Sequence, residues 1–425
     1  MKKTLLLFSI IILSLLCACN PVNESADSAA ELKNSDPLYH EGTDSQYFYR
    51  KSGEVSPITS SPNGYYCVGT RNMVIYIDKN TMKATPLCNK LNCTHSDNTT
   101  CDAYFLSYNR SIHGTSGSNV IQYYDGALYY ITTEENTTTM SAEVFLAAVD
   151  DDGKNMRKIT DKLEYNGRLQ DWLLHRGYMY GITTNKIFRI SLDNPKKTEV
   201  IYELDEYQES LNNINSVLAY DDYLYFGVYI FDDNNDFSRR AVYALNLETL
   251  EAVPCVHNGN DINLYSVING KIVFSVNEID GYNAWYKADP NFTNIEKIGD
   301  FKVSEHILCD GNYIYIDNDP SFLPDENAQT EKPEDGYYGQ TITVCDLDMN
   351  KVDSFVIPSK YLYFNLTPQD TENFILYLPT DEERKNFTLY AIDKSKIGTY
   401  NGKPAELIEL CKTNWANPND GYNYE

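Results

Sequence analysis

The chain has 425 residues, 42% of them hydrophobic, and carries 61 acidic against 35 basic side chains for a formal net charge of -26. That balance argues against attraction to nucleic acid or anionic lipid. Length alone suggests two or three domains, but an internal repeat overrides it, because units that bury one another fold as one body.

Residues 1–18 read as a targeting segment. Lys2 and Lys3 give a charged start, and an apolar run shorter than the roughly 18 residues of a membrane span follows over 5–16. Leu16-Cys17-Ala18-Cys19 resembles the lipobox of bacterial lipoproteins. The resemblance implies that Cys19 is diacylated and becomes the mature N-terminus, and that the protein is held at the outer side of a cell membrane. The mature net charge is then -28. Residues 19–45 lack apolar periodicity and read as a disordered tether.

From residue 46 a strand-turn-strand pattern recurs. Its clearest copy is Tyr123-Tyr124-Asp125-Gly126-Ala127-Leu128-Tyr129-Tyr130, a two-residue hairpin turn between strand formers. Equivalent turns stand at Asn63-Gly64, Arg176-Gly177, Asp221-Asp222, Asn269-Gly270, Asp310-Gly311 and Glu372-Asn373, 41 to 62 residues apart. The third strands are predicted at 143–149, 186–192, 241–247, 284–288, 341–347 and 388–392. Many strands are apolar on both faces, so each sheet is covered on both sides. This predicts an all-β fold, a β-propeller of seven four-stranded antiparallel blades over 46–411. Residues 361–411 can supply four strands alone, so 46–50 is an additional edge strand or the seal between first and last blades. Residues 412–425 form a polar tail.

In such a ring, the second-to-third loops and the crossings between blades lie on one face. Nearly every long insertion here is of those kinds: 88–118, which is cysteine-rich, 133–142, 232–240, the acidic 317–340, and 380–386. That face is the expected binding surface, since elaborated loops on a rigid scaffold carry function.

Cys88, Cys93, His95 and Cys101 form C-x4-C-x-H-x5-C, a density of soft ligands compatible with a zinc site. Outside the cytoplasm disulfides compete, and the mature chain keeps an even eight cysteines after Cys17 and Cys19 are set aside. Free thiols are the third reading. The expectation is one disulfide within the group, involving Cys101, with His95 at the surface. Cys67, Cys309 and Cys345 read as small core residues. Asp232, Asn234 and Asp236 imitate the start of a calcium loop, but Phe237 and Tyr243 replace the glycine and glutamate that an EF-hand needs. The segment 114–118 beside His113 lacks the last glycine of a nucleophile elbow. His40, His175, His257 and His306 are scattered and read as ordinary. No catalytic residue or cofactor site is identified.

Tyr124-Asp125-Gly126-x-Leu128-Tyr129-Tyr130, followed by Val149-Asp150-x-Asp152-Gly153, resembles the repeat of TolB-like propellers and of a propeller domain in Gram-positive lipoproteins. Pro86-Leu87-Cys88-Asn89-Lys90-x-x-Cys93-x-His95 is similar to a recurrent insertion in those lipoproteins. Tyr129-Tyr130-Ile131-Thr132 is a distant echo of the low-density-lipoprotein-receptor type of propeller. These likenesses imply the fold and carry over no catalytic residue.

The expectation is a lipid-anchored extracytoplasmic propeller that binds an extracellular ligand or protein, and no nucleic acid, through its insertion-rich face. The alternatives are a propeller enzyme acting on glycans or peptides, or a metal or redox sensor built on the cysteine loop. Polar groups converging on an open central channel would favour the enzyme.

Overall fold

The computed structural model describes residues 36–411 apart from 52–53, 56, 70–72, 97–99, 106–119, 137–140, 164–168, 205–212, 232–236, 256–261, 278–281, 303–304, 319–337, 360–369 and 382–385. Seven small antiparallel sheets form a seven-bladed β-propeller. Blade 1 runs Ile58–Ser60, Gly64–Val68, Val74–Asp78 and Lys83–Pro86, and blade 2 runs Ile121–Tyr124, Ala127–Asn136, Ser141–Asp150 and Arg157–Lys158. Blades 3 to 6 repeat the same order of neighbours from Asp171–His175 to Lys351–Ser359. Three strands of blade 7 are described, Asn373–Pro379, Phe387–Asp393 and Ile408–Cys411. The residues expected to supply its innermost strand lie in 360–369, outside the described residues.

The turn chemistry explains the repeat. Asp125 and Gly126 (φ 43° and 80°), Arg176 and Gly177 (45° and 81°), and Asn269 and Gly270 (44° and 75°) are all left-handed, as two-residue hairpins with the right strand twist require. Asn63-Gly64 differs. Gly64 opens its strand, and any Cβ there would collide with the Tyr76 ring, so this glycine serves close packing rather than a turn.

Neighbouring blades supply the second cover for each sheet. Leu87, Leu128, Tyr130 and Val149 pack between blades 1 and 2, Trp172 and Phe188 against Leu146 between 2 and 3, and Phe355 and Phe374 between 6 and 7. Burying each such side chain contributes about 1.5–3 kcal/mol, and the ring spreads that gain over every interface. Two insertions expected as loops are partly strand, because the ladder of blade 2 continues to Asn136↔Ser141 and that of blade 4 to Phe231↔Phe237.

Ring closure differs from either reading of 46–50. Tyr47–Tyr49 is a 3-10 turn, and among the described residues Arg50–Lys51 pairs only with Glu54–Val55, in a separate two-stranded ribbon. Blades 7 and 1 meet through side chains instead. Tyr65 donates to the Asp370 carboxylate at 3.1 Å, Lys79 lies 3.1 Å from it, and the Tyr377 hydroxyl donates to the Val68 carbonyl at 3.1 Å.

Residues 36–51 fill the axis of the ring. The end of the expected tether is therefore folded: Asp36, Asp44 and Ser45 are buried. At the hairpin-turn face, Asp125 and Arg176 donate backbone N–H groups to the carbonyls of Gly42 and Thr43 at 3.1 and 2.7 Å. The Tyr220 hydroxyl donates to Asp36 at 2.7 Å. Further along, Gln46 donates to the Ser60 carbonyl of blade 1 at 2.7 Å. Arg50 reaches the opposite end of the blade 3 inner strand, donating to Asp171 at 2.9 Å and to the carbonyls of Trp172 and Val217 at 2.6 and 2.8 Å. Tyr47, Phe48 and Tyr49 join the cores of blades 4 and 5 to those of blades 7 and 1 in one cluster. The aromatic triplet converts a polar leader into a plug because burying its rings offsets the entropy of ordering it.

Candidate binding site

Among the described residues, 36–51 occupy the central channel, where converging polar groups around an open cleft would favour catalysis. The cavity left beside Asp44, Gln46, Tyr49, Arg50 and Gln122 is about 20 Å³, enough for roughly one water. The charges around it answer one another. Arg176 contacts Asp44 at 2.9 Å, Asp221 at 3.2 Å and Asp222 at 2.5 Å. His175 accepts from the Ser45 N–H at 3.1 Å and donates through Nε2 to the Asp221 carbonyl at 2.7 Å. Burial therefore holds His175 below its usual pKa. Burial likewise pushes the Asp171 carboxyl up, against the pull of Arg50.

An open concavity lies on the flank between blades 1 and 2. It is a groove of about 690 Å³ lined by Asn63, Tyr66, Tyr76, Pro86, Asn89, His95, Asp151 and Asp152, among others, within the usual range for ligand sites. Its walls are braced: Tyr66 donates to the Asp151 carbonyl at 3.0 Å, Tyr76 to the Asn63 carbonyl at 3.1 Å, and Asn89 to the Asp152 carbonyl. Asn63, Asp151 and Asp152 belong to turns of the plain face. The cysteine loop thus leans along the flank toward that face rather than standing only on the insertion-bearing one. Beside the groove Leu91 is 92% exposed, held in a tight turn with Asn92 at φ 63°.

The same loop brings together Cys88, Cys93, His95 and Cys101, whose ligand atoms all lie within 4.8 Å of one another. His95 Nδ1 stands 3.4 Å from the Cys101 sulfur, so the imidazole faces the thiols instead of remaining at the surface. The expected disulfide is not formed: all eight described cysteines are free. Burial opposes ionisation of Cys88, but the amides of Lys90 and Asp102 and the two neighbouring thiols outweigh it and hold this thiol below its ordinary value. Burial and those neighbours push Cys101 up to about 12. Cys67, Cys309 and Cys345 are buried core residues, as expected.

Cys19, the imitation calcium loop at 232–236 and the segment 113–118 lie outside the described residues, as do the greater part of the acidic insertion and the tail beyond 411. The axial plug is what sequence reading missed. Its signal was Tyr47-Phe48-Tyr49, three aromatic residues directly after a polar stretch.

The fold defines a seven-bladed β-propeller, and comparison with solved structures agrees. The tricorn protease matches over 90% of this chain at 9% identity and a TM-score of 0.53. One of two prolyl endopeptidases analysed for inter-domain dynamics matches over 85% at 13% identity and a TM-score of 0.50. This chain covers only 36% and 50% of those two proteins, so the likeness concerns part of each and speaks to fold alone. TolB from Acinetobacter baumannii aligns over 79% of this chain and 76% of its own at 14% identity, with a TM-score of 0.35 that carries no argument. No protein-family model and no curated protein matches the sequence.

Proposed function

We propose that this protein is a binding module, anchored through a lipid on Cys19 at the outer side of a cell membrane, which holds its ligand at the flank groove and the exposed tip of the cysteine loop. The observation that carries the reading is the axis: residues 36–51 occupy the place where a propeller enzyme would hold substrate, and the charges there are satisfied within the protein.

Ligand class follows from charge. A net charge of -26 draws in cationic partners over long range. The groove adds Asp151 and Asp152 beside tyrosine rings, which suits lysine- or arginine-bearing segments. The test is calorimetric titration of the full-length protein in detergent with a lysine-rich peptide and a glutamate-rich peptide of equal length. The lysine-rich peptide should bind, more weakly at high salt, and Asp151→Lys and Leu91→Lys should each weaken it about tenfold, equivalent to about 1.4 kcal/mol. Equal binding of both peptides, or affinity unchanged in both variants, contradicts this site. The anchor is tested separately: Cys19→Ser should release the protein from membranes, and unchanged fractionation with a normal mature mass would remove the lipoprotein reading.

A further inference from the structure

We infer that Cys88, Cys93, His95 and Cys101 form a structural zinc site that clamps the cysteine loop into the wall of the flank groove. The inference rests on geometry and is independent of what the groove binds. Tetrahedral zinc with Zn–S near 2.3 Å and Zn–N near 2.0 Å sets its donors about 3.5–3.8 Å apart. Four donor atoms mutually within 4.8 Å, with Nδ1 of His95 3.4 Å from the Cys101 sulfur, lie within about 1 Å of that spacing. A disulfide would join two sulfurs at about 2.05 Å and leave the third thiol and the imidazole without a shared role.

The surroundings are those of a metal knuckle. The backbone N–H of Lys90, two residues after Cys88, and that of Asp102 point at the Cys88 sulfur, and the N–H of Ala103, two residues after Cys101, points at the Cys101 sulfur. Such outer donors orient thiolates and stabilise their charge once a metal is bound. The two arms of the loop are drawn together by Lys90, which contacts Asp102 at 2.7 Å and donates to the Thr100 carbonyl at 2.6 Å. The Tyr104 hydroxyl, from beyond Cys101, donates to the His95 carbonyl at 3.1 Å.

The donor set selects the ion and its role. Three thiolates and one imidazole favour zinc over magnesium or calcium, which take oxygen ligands. Four protein donors close the coordination sphere, so the ion has no open position for substrate or water and acts structurally. It fixes the turn carrying Leu91, together with His95 and Asn89 on the groove wall.

The test uses the full-length protein purified without reductant or chelator. Expected are a stoichiometric content of zinc that survives gel filtration and, after exchange, a cobalt(II) spectrum with intense tetrahedral d–d bands and thiolate charge-transfer bands. Zinc should be lost in Cys93→Ser and retained in His95→Cys, which keeps four soft donors and guards against reading misfolding as ligand loss. Three results overturn the assignment: metal-free protein with an intact mass two hydrogens light, marking a bridged pair; reduced protein that takes up no cobalt; or zinc that stays bound in Cys93→Ser.

Discussion

The Arg50 guanidinium donates to the Asp171 carboxylate at 2.9 Å across 121 positions of sequence, with both side chains almost fully buried. This pair ties the axial segment to the inner strand of blade 3. The Trp172 and Val217 carbonyls take further guanidinium protons, so the charge is well solvated by the protein. Arg50→Ala should destabilise the protein by about 3–5 kcal/mol, because it strands a buried carboxylate. Replacing the exposed Arg157 should leave the transition where it was. Urea denaturation of both variants checks this; an Arg50→Ala transition unchanged from wild type would mean the plug is not held.

His175 makes the same region sensitive to acid. As the acceptor of the Ser45 N–H it must stay neutral, and burial lowers its folded pKa beneath an unfolded value of about 6.5. Below that value the unfolded chain binds a proton that the native state refuses, so this term is fully stabilising above about pH 6.5 and is lost as the pH falls toward the folded pKa. Stability measured from about pH 7.5 to about 5.5 should therefore fall more steeply for wild type than for His175→Gln. Parallel curves would contradict the assignment.

Among the described residues, blades 7 and 1 meet through a few side chains, and closure places weight on them. Asp370 accepts from Tyr65 and from the backbone N–H groups of Glu372 and Asn373, and faces Lys79 at 3.1 Å. Asp370→Ala should cost about 3 kcal/mol by removing this charge-assisted set. Tyr377→Phe, which forfeits one hydrogen bond to the Val68 carbonyl, should cost about 1 kcal/mol. Equal costs would show that closure is carried by apolar packing alone.

The blades were legible because their signals are local. Asp125-Gly126 and Asn269-Gly270 adopt the backbone their residue types favour, and strands such as Gly64–Val68 are buried along their whole length, as their unbroken apolar character implies. Cys88, Cys93, His95 and Cys101 were legible as a group for the same reason, being close in sequence. Whether they bridge or converge depends on how Lys90, Asp102 and Tyr104 fold the loop, and spacing does not encode that. The plug was not legible. Arg50 meets Asp171, Trp172 and Val217 at separations of 121, 122 and 167 residues, and nothing in a polar stretch ending in three aromatic residues names such distant partners.

The central claim is that the axis is closed by the chain itself, and amide hydrogen exchange across residues 42–51 tests it most directly. Ser45, Tyr49 and Arg50 donate their N–H groups inside the ring. Their exchange should be as slow as that of the blade strands, in the presence and absence of a bound peptide. Exchange at the rate of a surface loop would mean that the segment leaves the channel, which would contradict the account and return the axis to a substrate.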